Sequence, residues 1–433
     1  MAKKQVIQSP KGMNDIMPAD QVYWQFIYKK AFNILSDYGF EKIETPIVEF
    51  ASLFQRSVGE DTDITEKEMY TFKTSGEDEL ALRPENTAGV VRAYIERGMS
   101  VMPHPVQLWY FGPMFRHNNP QAGRFRQFHQ LGVETFGDEN AATDAMLIFM
   151  AYKLLEGLGL KNLAVRLNSI GDSSCRPQYL KALKDYYRNR SKKICVKCKK
   201  RMKTNLLRLL DCEEENCKEL AKDVPQMVDY LDEDCKAHFK NLLEFLDETK
   251  IPYLMDSKLV RGLDYYTRTV FEIWQEEKTE ETTNSKAPLA ICGGGRYDKL
   301  VSFLGGPKTP AVGWSIGVER LIMPMKEAGI TPPEQHTQPK VFIAQLGELA
   351  KRKGLVLFED FRKHGIISRA SFGRDSIKSQ LRIANRLGIK YTLIMGQKEA
   401  LEGTVILREM DSGVQETVPL EKVLDLVKQR LKQ

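Results

Sequence analysis

The stretch RGLDYYTRTVFE, from Arg261 to Glu272, resembles a strand but is too polar for a core strand. Its two arginines, one aspartate, two tyrosines and one glutamate suit the binding of a small polar ligand. An antiparallel hairpin whose charged side chains pair across strands is the alternative. Alternation predicts one face with Leu263, Tyr265, Thr267 and Thr269 and an opposite face with Asp264, Tyr266, Arg268 and Val270.

A second unusual segment, GGGRYDKL at residues 293–300, is interpreted as a loop. Its three consecutive glycines allow the backbone to approach a ligand closely. Arg296, Tyr297 and Asp298 follow directly and supply charge and hydrogen-bonding groups. Because the glycines lack the GxGxxG spacing, the segment is not a dinucleotide-binding fingerprint.

The chain of 433 residues is long enough for two or three domains, and its 42% hydrophobic and 28% charged residues are ordinary for a globular protein. The amino-terminal sequence MAKKQVIQSPKG has no apolar stretch after its lysines. No segment reaches the apolar length that a membrane helix needs. We therefore expect cytoplasmic localisation and no membrane partner.

The distribution of basic residues is more informative than the net charge of +6, which permits an anionic partner without requiring one. Basic residues cluster at 188–203 and again between 351 and 390. In the second cluster SIKSQLRIANRLG predicts a helix, whose charged face either binds an anion or is simply solvated. That face contains Lys378, Arg382 and Arg386, and the apolar face contains Ile377, Leu381, Ala384 and Leu387.

Seven cysteines in a chain that begins without a secretion signal argue against a disulfide framework. Four of them form a CxxC pair followed by a CxxxxC pair, and such thiolates can hold a tetrahedral Zn²⁺. The second pair is wider than the common zinc-ribbon pattern, so reduced, unligated thiols are the favoured interpretation and zinc the alternative. The four residues are Cys195, Cys198, Cys212 and Cys217.

Hydrophobic periodicity predicts the order of elements in the first part of the chain. An amphipathic helix follows Asp20, and a strand interrupted by Pro46 comes next. Residues 80–137 are predicted to form an antiparallel sheet with a loop at 117–123, and residues 138–158 a helix.

The later part of the chain divides into three sections. Residues from about 170 to 250 are predicted to form a helical, basic insertion. The Pro-rich stretch at 331–340 is interpreted as a linker. From residue 341 onward, strands alternate with helices, which predicts a small α/β domain with a mainly parallel sheet.

Arginines surround the predicted loop in MFRHNNPQAGRFRQFHQLGVE, residues 114–134. Arg116, Arg124 and Arg126 suit a polyphosphate ligand, and a surface hairpin rich in arginine is the alternative. Further along, GWSIGVERL at residues 313–321 predicts a strand that passes into a helix carrying Glu319 and Arg320.

These segments together resemble a known family. The early helix and strand, the arginine-containing strand and loop, and GWSIGVERL are similar to motifs 1, 2 and 3 of class II aminoacyl-tRNA synthetases. RGLDYYTRTVFE and GGGRYDKL resemble the two signature peptides of histidyl-tRNA synthetases, and ALRPENTA and FHQLGVE resemble that family's amino-acid-binding segments. The resemblance implies an α+β catalytic domain, built on an antiparallel sheet with flanking helices, in residues 1–330. Residues 341–433 would form an anticodon-binding α/β domain.

The resemblance implies activation of L-histidine by ATP to histidyl adenylate with release of pyrophosphate, and then transfer of histidine to the 3′ end of tRNA(His). Charge develops on the α-phosphate, and the resemblance assigns Arg116 and Arg261 as the catalytic cations there. Mg²⁺ would accompany ATP. The implied ATP-binding residues are Arg116, Arg124, Phe128, Arg320 and Asn118.

Histidine and tRNA contacts are implied by the same resemblance, and motif 1 implies a homodimer. The predicted histidine-binding residues are Glu85, Thr87 and Gln130 for the amino-acid backbone, Glu134, Tyr266 and Tyr297 for the imidazole, and Arg116 and Arg261. The predicted tRNA-binding residues are Gln121, Lys378, Arg382 and Arg386.

The chain departs from the family pattern in motif 2, where Asn118 and Asn119 replace the usual glutamate and arginine. Asn86 stands where the family has glycine, and asparagine tolerates positive φ better than most residues. We expect His117 and His129 to be structural rather than catalytic. A catalytically silent paralogue that senses histidine as a regulatory subunit, and an RNA-binding module without catalysis, are the alternative functions.

Overall fold

The computed structural model describes residues 7–59, 62, 64–121, 123–276, 290–333, 338–373 and 376–432. The chain forms two compact units, Met1–Pro332 and Pro333–Gln433. Residues 334–337 of the predicted linker lie outside the described ranges. None of the helices in those ranges has both the length and the apolar character needed to cross a membrane.

The strands of the described residues form sheets of eight, five and three strands. In chain order they are β1 (Glu41–Lys42), β2 (Val48–Phe50), β3 (Tyr70–Lys73), β4 (Glu79–Leu82), β5 (Val106–Phe115), β6 (Gln127–Phe136), β7 (Leu163–Ser169), β8 (Tyr253–Met255), β9 (Thr267–Gln275), β10 (Ala290–Arg296), β11 (Ala311–Gly317), β12 (Val341–Gln345), β13 (Ser368–Ala370), β14 (Tyr391–Met395), β15 (Thr404–Glu409) and β16 (Gln415–Pro419).

The α-helices begin and end close to the capping and glycine positions in the sequence. They are α1 (Gln21–Asp37), α2 (Ala51–Val58), α3 (Thr87–Glu96), α4 (Ala141–Gly157), α5 (Arg176–Arg188), α6 (Val196–Thr204), α7 (Glu215–Leu220), α8 (Glu233–Glu248), α9 (Leu300–Phe303), α10 (Val318–Glu327), α11 (Glu348–Lys363), α12 (Ile377–Arg386), α13 (Gln397–Glu402) and α14 (Leu420–Arg430).

The first unit is built on the eight-stranded sheet, whose strand order is β1-β5-β6-β11-β10-β9-β7-β8. The strands from β5 to β7 pair antiparallel, and parallel pairing occurs at the two edges, between β1 and β5 and between β7 and β8. Helices α1, α4, α8 and α10 bury their apolar residues against one face. Helix α8, which lies within the predicted insertion, therefore contributes to the main core.

Only the later part of RGLDYYTRTVFE is a strand, so the alternation predicted from Leu263 onward is wrong for residues 263–266. Strand β9 begins at Thr267, and the residues before it turn away from the sheet. The guanidinium of Arg176 donates to the carbonyl of Tyr266 at 2.8 Å and so takes up a group that a sheet neighbour would otherwise bind. Arg268 has φ of 50°, which breaks the regular pleat.

The glycines of GGGRYDKL lie in a strand rather than in a loop, which corrects the prediction for this segment. Gly293, Gly294 and Gly295 belong to β10 and pair with both β9 and β11. A Cβ at Gly294 would collide with the backbone carbonyl of Gly313 on β11. Glycine at this position is therefore required because two strands approach closely, not because the chain turns.

In the second unit the five-stranded sheet has the order β13-β12-β14-β15-β16 and is mixed, so the prediction of a mainly parallel sheet is wrong. β12 pairs parallel with β13 and β14, whereas β14–β15 and β15–β16 are antiparallel. Parallel pairing needs a long crossover, which α11 and α12 provide. Only the short α13 joins β14 to β15, and a tight turn leads to β16, which the sequence reading did not identify.

Candidate active site

A cavity of about 220 Å³ opens on the sheet face opposite the α1–α4 layer. Alternation along β6 explains its lining, because Leu131 and Val133 are in the apolar core while Gln130 and Glu134 face the cavity. The predicted catalytic, ATP-binding and histidine-binding residues all line this one cavity: Glu85, Thr87, Arg116, Asn118, Arg124, Phe128, Gln130, Glu134, Arg261, Tyr266, Tyr297 and Arg320.

Glycines in the central strands make the space that these side chains occupy. A Cβ at Gly313 would overlap the carboxylate of Glu134, the residue that it faces across the β6–β11 pair. A Cβ at Gly293 would likewise overlap the guanidinium of Arg261. The floor of the cavity is thus a strip of bare backbone, and the large polar groups lie directly on it.

Glu134 is the most buried acid of the cavity, with 1% of its surface exposed. Its carboxylate accepts a hydrogen bond from the Thr87 hydroxyl at 2.7 Å and another from the Tyr297 hydroxyl. Burial raises the pKa of Glu134 to about 8, although these two donors oppose the rise. The group can therefore exist in either protonation state near neutral pH.

A second acid, Glu85, lies just before helix α3. Its carboxylate accepts from the backbone N–H groups of Thr87 at 2.6 Å and Ala88 at 2.9 Å, at the positive end of the helix. Burial raises the pKa of Glu85, and these N–H donors act in the opposite direction. The two carboxylates form an acidic end of the cavity that suits a ligand with cationic or N–H groups.

Asn86 does not have the positive φ that its match to a glycine position allowed. Its backbone is right-handed, with φ of −118°. Its side-chain oxygen instead accepts from the Thr45 hydroxyl at 2.6 Å and from Arg83 at 3.3 Å. Asparagine is therefore used here as a buried acceptor that holds the segment before α3 in place.

Three arginines, Arg116, Arg124 and Arg320, form the basic end of the cavity. Burial lowers the pKa of Arg320, and the positive charges of Arg124 and Arg116 lower it further. Neighbouring positive charges destabilise one another unless an anion lies between them. Arg320 is oriented by its Nε donating to the carbonyl of Gly123 at 2.8 Å, and Arg116 by its Nε donating to the carbonyl of Pro84 at 2.8 Å. The arrangement is therefore prepared for a polyanion.

Arg261 connects the two ends of the cavity. Burial by itself lowers its pKa, but the carboxylate of Glu272, with which it forms an ion pair, raises the pKa of Arg261 overall. Its Nε and the side-chain oxygen of Gln130 are buried without a hydrogen-bond partner in the described part of the chain. Buried polar atoms left unpaired at a cavity wall are suited to a bound ligand.

An aromatic ring and an amide lie beside the arginines. The guanidinium of Arg116 is 5.2 Å from the ring centroid of Phe128, so the two side chains form a cation–π contact. The amide of Asn118 lies against the Glu68 carboxylate, with nitrogen and oxygen 2.9 Å apart when the amide is oriented as a donor. A carboxylate is thus next to the position where the family has its motif 2 glutamate.

The two histidines predicted to be structural are not among the lining residues, and each contacts neighbouring side chains. His129 Nδ1 is 2.9 Å from the Glu319 carboxylate, and its ring packs edge-on against Trp24 with centroids 4.7 Å apart. The ring of His117 packs against Tyr70 at 5.5 Å.

Arg296 and Asp298 do not face the cavity, although both follow the glycines. Arg296 is fully buried, and its Nε donates to Asp144 at 3.0 Å while its Nη1 donates to Asp298 at 3.1 Å. His238 completes the network through Asp144, with nitrogen and oxygen 2.9 Å apart. The charge of this segment therefore holds β10 to α4 and α8 instead of binding a ligand.

Among the lining residues that were not predicted from the sequence are two tyrosines and two glutamates. Tyr265 and Glu272 belong to RGLDYYTRTVFE, so that motif could have identified them. Glu319 could have been identified because it precedes Arg320 in GWSIGVERL. Tyr110 has no local signal, because only its register opposite Gly132 brings it to the cavity. These four lining residues are Tyr110, Tyr265, Glu272 and Glu319.

The remaining predicted residues lie away from the cavity. Gln121 is exposed and forms an isolated bridge with Arg124 in the loop between β5 and β6. Lys378, Arg382 and Arg386 are exposed on α12 of the second unit, where Leu387 is also exposed instead of packing. The four cysteines of the predicted thiol group are clustered, with their sulfur atoms within 4.8 Å of one another: Cys195, Cys198, Cys212 and Cys217.

Comparisons with known proteins agree with the geometry. A family model described as "Histidyl-tRNA synthetase" matches residues 12–321, and one described as "Anticodon binding domain" matches residues 340–430. The chain is 46% identical to a protein named Histidine--tRNA ligase from Dehalococcoides mccartyi, over 98% of this chain and 100% of that protein. A ligase of the same name from Caldicellulosiruptor saccharolyticus is 43% identical over 98% and 100%.

Among solved structures, an apo histidyl-tRNA synthetase from S. aureus is similar, with 34% sequence identity and a TM-score of 0.79. The match covers 98% of this chain and 100% of that one. The similarity therefore extends across both compact units.

Proposed function

The chain belongs to the histidyl-tRNA synthetase family and is an ATP-dependent ligase that joins histidine to tRNA, and from that premise we propose how its cavity carries out the reaction. The observation that carries the proposal is the polarity of the cavity. Two buried acids form its acidic end, three arginines form its basic end, and a fourth arginine, Arg261, is close enough to affect the pKa of Tyr266 and that of Arg320. Histidine fits the acidic end and the triphosphate of ATP fits the basic end.

Adenylate formation requires that a carboxylate oxygen of histidine attack the α-phosphorus of ATP. The bond from that phosphorus to the bridging oxygen of the β-phosphate breaks, and pyrophosphate leaves with the electron pair. Arg116 and Arg261 would stabilise the charge that builds on the α-phosphate, because their positions are set before the substrate arrives. No side-chain nucleophile is needed, since the substrate supplies the attacking oxygen.

Histidine selection is proposed to depend on the acidic end of the cavity. Glu85 would accept from the α-ammonium group together with Thr87 and Gln130, while Glu134, Tyr266 and Tyr297 would meet the imidazole nitrogens. Glu134 and Tyr297 are 1% exposed, so an amino acid without matching polar atoms would place apolar surface against these buried polar groups. The site therefore rejects apolar side chains by loss of hydrogen bonds.

ATP is proposed to bind as its Mg²⁺ complex. Arg124 and Arg320 would contact the distal phosphates, and the adenine would lie between Phe128 and a guanidinium, with Asn118 close to its amino group. The nearby carboxylates of Glu272 and Glu319 are already engaged, with Arg261 and with His129. Mg²⁺ would therefore be held mainly by phosphate oxygens.

Transfer of histidine requires tRNA(His) to reach the same cavity. A terminal ribose hydroxyl would attack the acyl carbon of the adenylate, and AMP would leave. We propose residues 1–330 as the catalytic domain, 331–340 as the linker and 341–433 as the anticodon-binding domain. Gln121 would contact the tRNA end, and the helical segment at 170–250 would contact the acceptor stem through phosphates.

A homodimer is part of the proposal because apolar side chains are exposed in the motif 1 region. Phe32 is 48% exposed and Phe50 57%, and each would be covered in a subunit interface. Light scattering at micromolar concentration would show twice the chain mass if this is correct. A monomeric mass would contradict it. We also propose that the protein acts in the cytoplasm, where its tRNA substrate is used.

Histidine-dependent exchange of labelled pyrophosphate into ATP tests the assignment of the cavity directly. We expect exchange with histidine and not with the other amino acids, and loss of exchange in Arg261→Ala. Histidine binding without exchange in the unaltered protein would instead support a regulatory paralogue. The full-length relatives named as ligases do not favour that alternative.

A further inference from the structure

Four cysteines in the helical part of the first unit are brought together by the fold. Cys195 precedes α6, Cys198 lies in its first turn, Cys212 follows the next loop, and Cys217 lies in α7. Cys198, Cys212 and Cys217 are buried and Cys195 is partly exposed. All four sulfur atoms lie within 4.8 Å of one another.

The sulfur atoms lie close enough together for a tetrahedral metal site. With zinc–sulfur bonds of about 2.3 Å, the edges of the tetrahedron are about 3.8 Å long. The Cys195 and Cys212 sulfur atoms are 3.8 Å apart and are not bonded to each other. A tetrahedron of thiolates therefore needs little rearrangement of the chain.

Backbone N–H groups also point at these sulfur atoms. The N–H of Cys198 donates to the sulfur of Cys195 at 3.4 Å, and the N–H of Cys195 donates to the sulfur of Cys217 at 3.3 Å. Such donors stabilise thiolate charge, and they orient the two sulfur atoms inward. Four thiolates around Zn²⁺ leave two negative charges, beside which α6 carries Lys197, Lys199 and Lys200.

We propose that Cys195, Cys198, Cys212 and Cys217 bind one Zn²⁺ ion, which reverses the preference for unligated thiols drawn from their spacing. Four Zn–S bonds form, and each thiol releases its proton to solvent. The wide spacing of the second pair is accommodated because α7 begins at Glu215 and turns Cys217 back towards Cys212. With four protein ligands and no open position, the ion is structural rather than catalytic.

The metal would fix a segment that touches the active site. Residues 205–213 run from the end of α6 to the residue after the third cysteine, Cys212. At one end of this segment, Asn205 donates a hydrogen bond at 2.6 Å to Asp264, which belongs to RGLDYYTRTVFE. At the other end, the Glu213 carboxylate is 3.9 Å from the guanidinium of the cavity residue Arg124. Zinc bound to the four cysteines would thus hold residues 205–213 against the cavity residues. The binding of zinc does not depend on the proposed function.

A second cluster in the described residues has metal-binding atoms but less support. Asp172, Cys175, Asp232 and Cys235 also lie together. Asp172 already pairs with Arg268 at 3.5 Å, and Asp232 caps α8 by accepting from the Cys235 N–H at 2.8 Å. Because these carboxylates already have partners in the fold, this cluster serves as the control.

Metal content of the full chain, purified under reducing conditions, tests the proposal. We expect one zinc per chain by elemental analysis, loss of zinc in Cys198→Ser and Cys217→Ser, and retention in the matched variants Cys175→Ser and Cys235→Ser. Replacement by Co²⁺ should produce the visible absorption of a tetrahedral thiolate site in the unaltered chain. That absorption does not depend on whether a variant folds well.

Three results would overturn the proposal: zinc retained in Cys217→Ser, a zinc-free chain with four reactive thiols, or a Cys195–Cys212 disulfide in the mass spectrum. Positioning of the segment is tested by hydrogen exchange before and after zinc is removed with a chelator. Faster exchange in residues 205–213 is expected, and unchanged exchange there would contradict the positioning role.

Discussion

At the scale of single residues, the cavity depends on charges that lie close to one another before any substrate arrives. Arg116, Arg124, Arg261 and Arg320 converge, and only Arg261 and Arg124 have carboxylate partners among the pairs described above. Such preorganised cations lower the stability of the free protein, and they become favourable when an anion binds. The site therefore gives up local stability in exchange for stabilisation of the transition state.

Replacement of Arg261 by lysine tests this at the central position. Lysine keeps the charge but loses the planar fork that can contact carboxylate and phosphate together, so we expect the kcat of pyrophosphate exchange to fall by about 10²–10³-fold. Arg166→Lys is the matched control, because Arg166 lies on β7 and stacks on Trp274 outside the cavity. Equal loss in both variants would show that the effect is structural.

The raised pKa of Glu134 predicts how stability depends on pH. The folded protein keeps a proton on Glu134 up to pH about 8, whereas the unfolded chain loses it near 4.5. The contribution of Glu134 to the free energy of unfolding is therefore greatest below pH 4.5 and falls as pH rises towards 8. Relative to Glu134→Gln, the unaltered protein should lose several kcal/mol of stability across this window.

Thermal denaturation of both proteins from pH 5 to 8.5 measures this difference. The Tm of Glu134→Gln should rise relative to that of the unaltered chain as pH increases. A constant difference in Tm across the range would show that Glu134 titrates normally.

At the scale of elements, bare backbone in the central strands determines where the large side chains go. β6 and β11 place Gly313 directly opposite Glu134. β9 and β10 do the same for Glu272 and Gly293, and Arg261 occupies the space above that pair. Strand pairing, rather than loop flexibility, explains the glycines of the signature segments.

Gly313→Ala tests this role of the β6–β11 pair. The added methyl group would displace the Glu134 carboxylate, so we expect histidine affinity, measured by calorimetry, to fall at least about tenfold. Gly157→Ala near the end of α4 is the control, because a Cβ there meets open space. If histidine binds both variants equally, the carboxylate is not held where the structure places it.

At the scale of the whole molecule, we propose histidine activation for the first compact unit and anticodon recognition for the second. The cavity belongs entirely to the first unit, and the basic face of α12 belongs to the second. Substitutions on α12 should therefore separate the two half-reactions.

We expect the triple change Lys378→Glu, Arg382→Glu, Arg386→Glu to raise the KM for tRNA at least about tenfold and to leave pyrophosphate exchange unchanged, because it replaces phosphate-binding charge. In the matched control, glutamate replaces three exposed lysines elsewhere in the second unit, Lys363, Lys398 and Lys422. Equal loss of exchange and aminoacylation in the α12 variant would contradict the assignment, as would an equal effect of the control on tRNA.

The sequence by itself indicated many of the residues that line the cavity, because Arg116, Glu134 and Arg261 lie in segments that resemble motifs of a known family. It also indicated the helices, whose apolar period is local. Tertiary structure decided what each side chain contacts. Arg296 became a buried partner of Asp144, and Tyr110 entered the cavity, only through pairings between distant strands.

The same distinction explains the errors. Whether β15 and β16 run antiparallel to their neighbours depends on strand pairing and on the space available for crossovers, which local propensity does not encode. The cysteine spacing was ambiguous because a thiolate site requires four sulfur atoms at tetrahedral distances, and two helices and the loop between them set those distances. The sequence specifies the chemical type of each side chain, but the distances between residues far apart in the chain are set only when the chain packs.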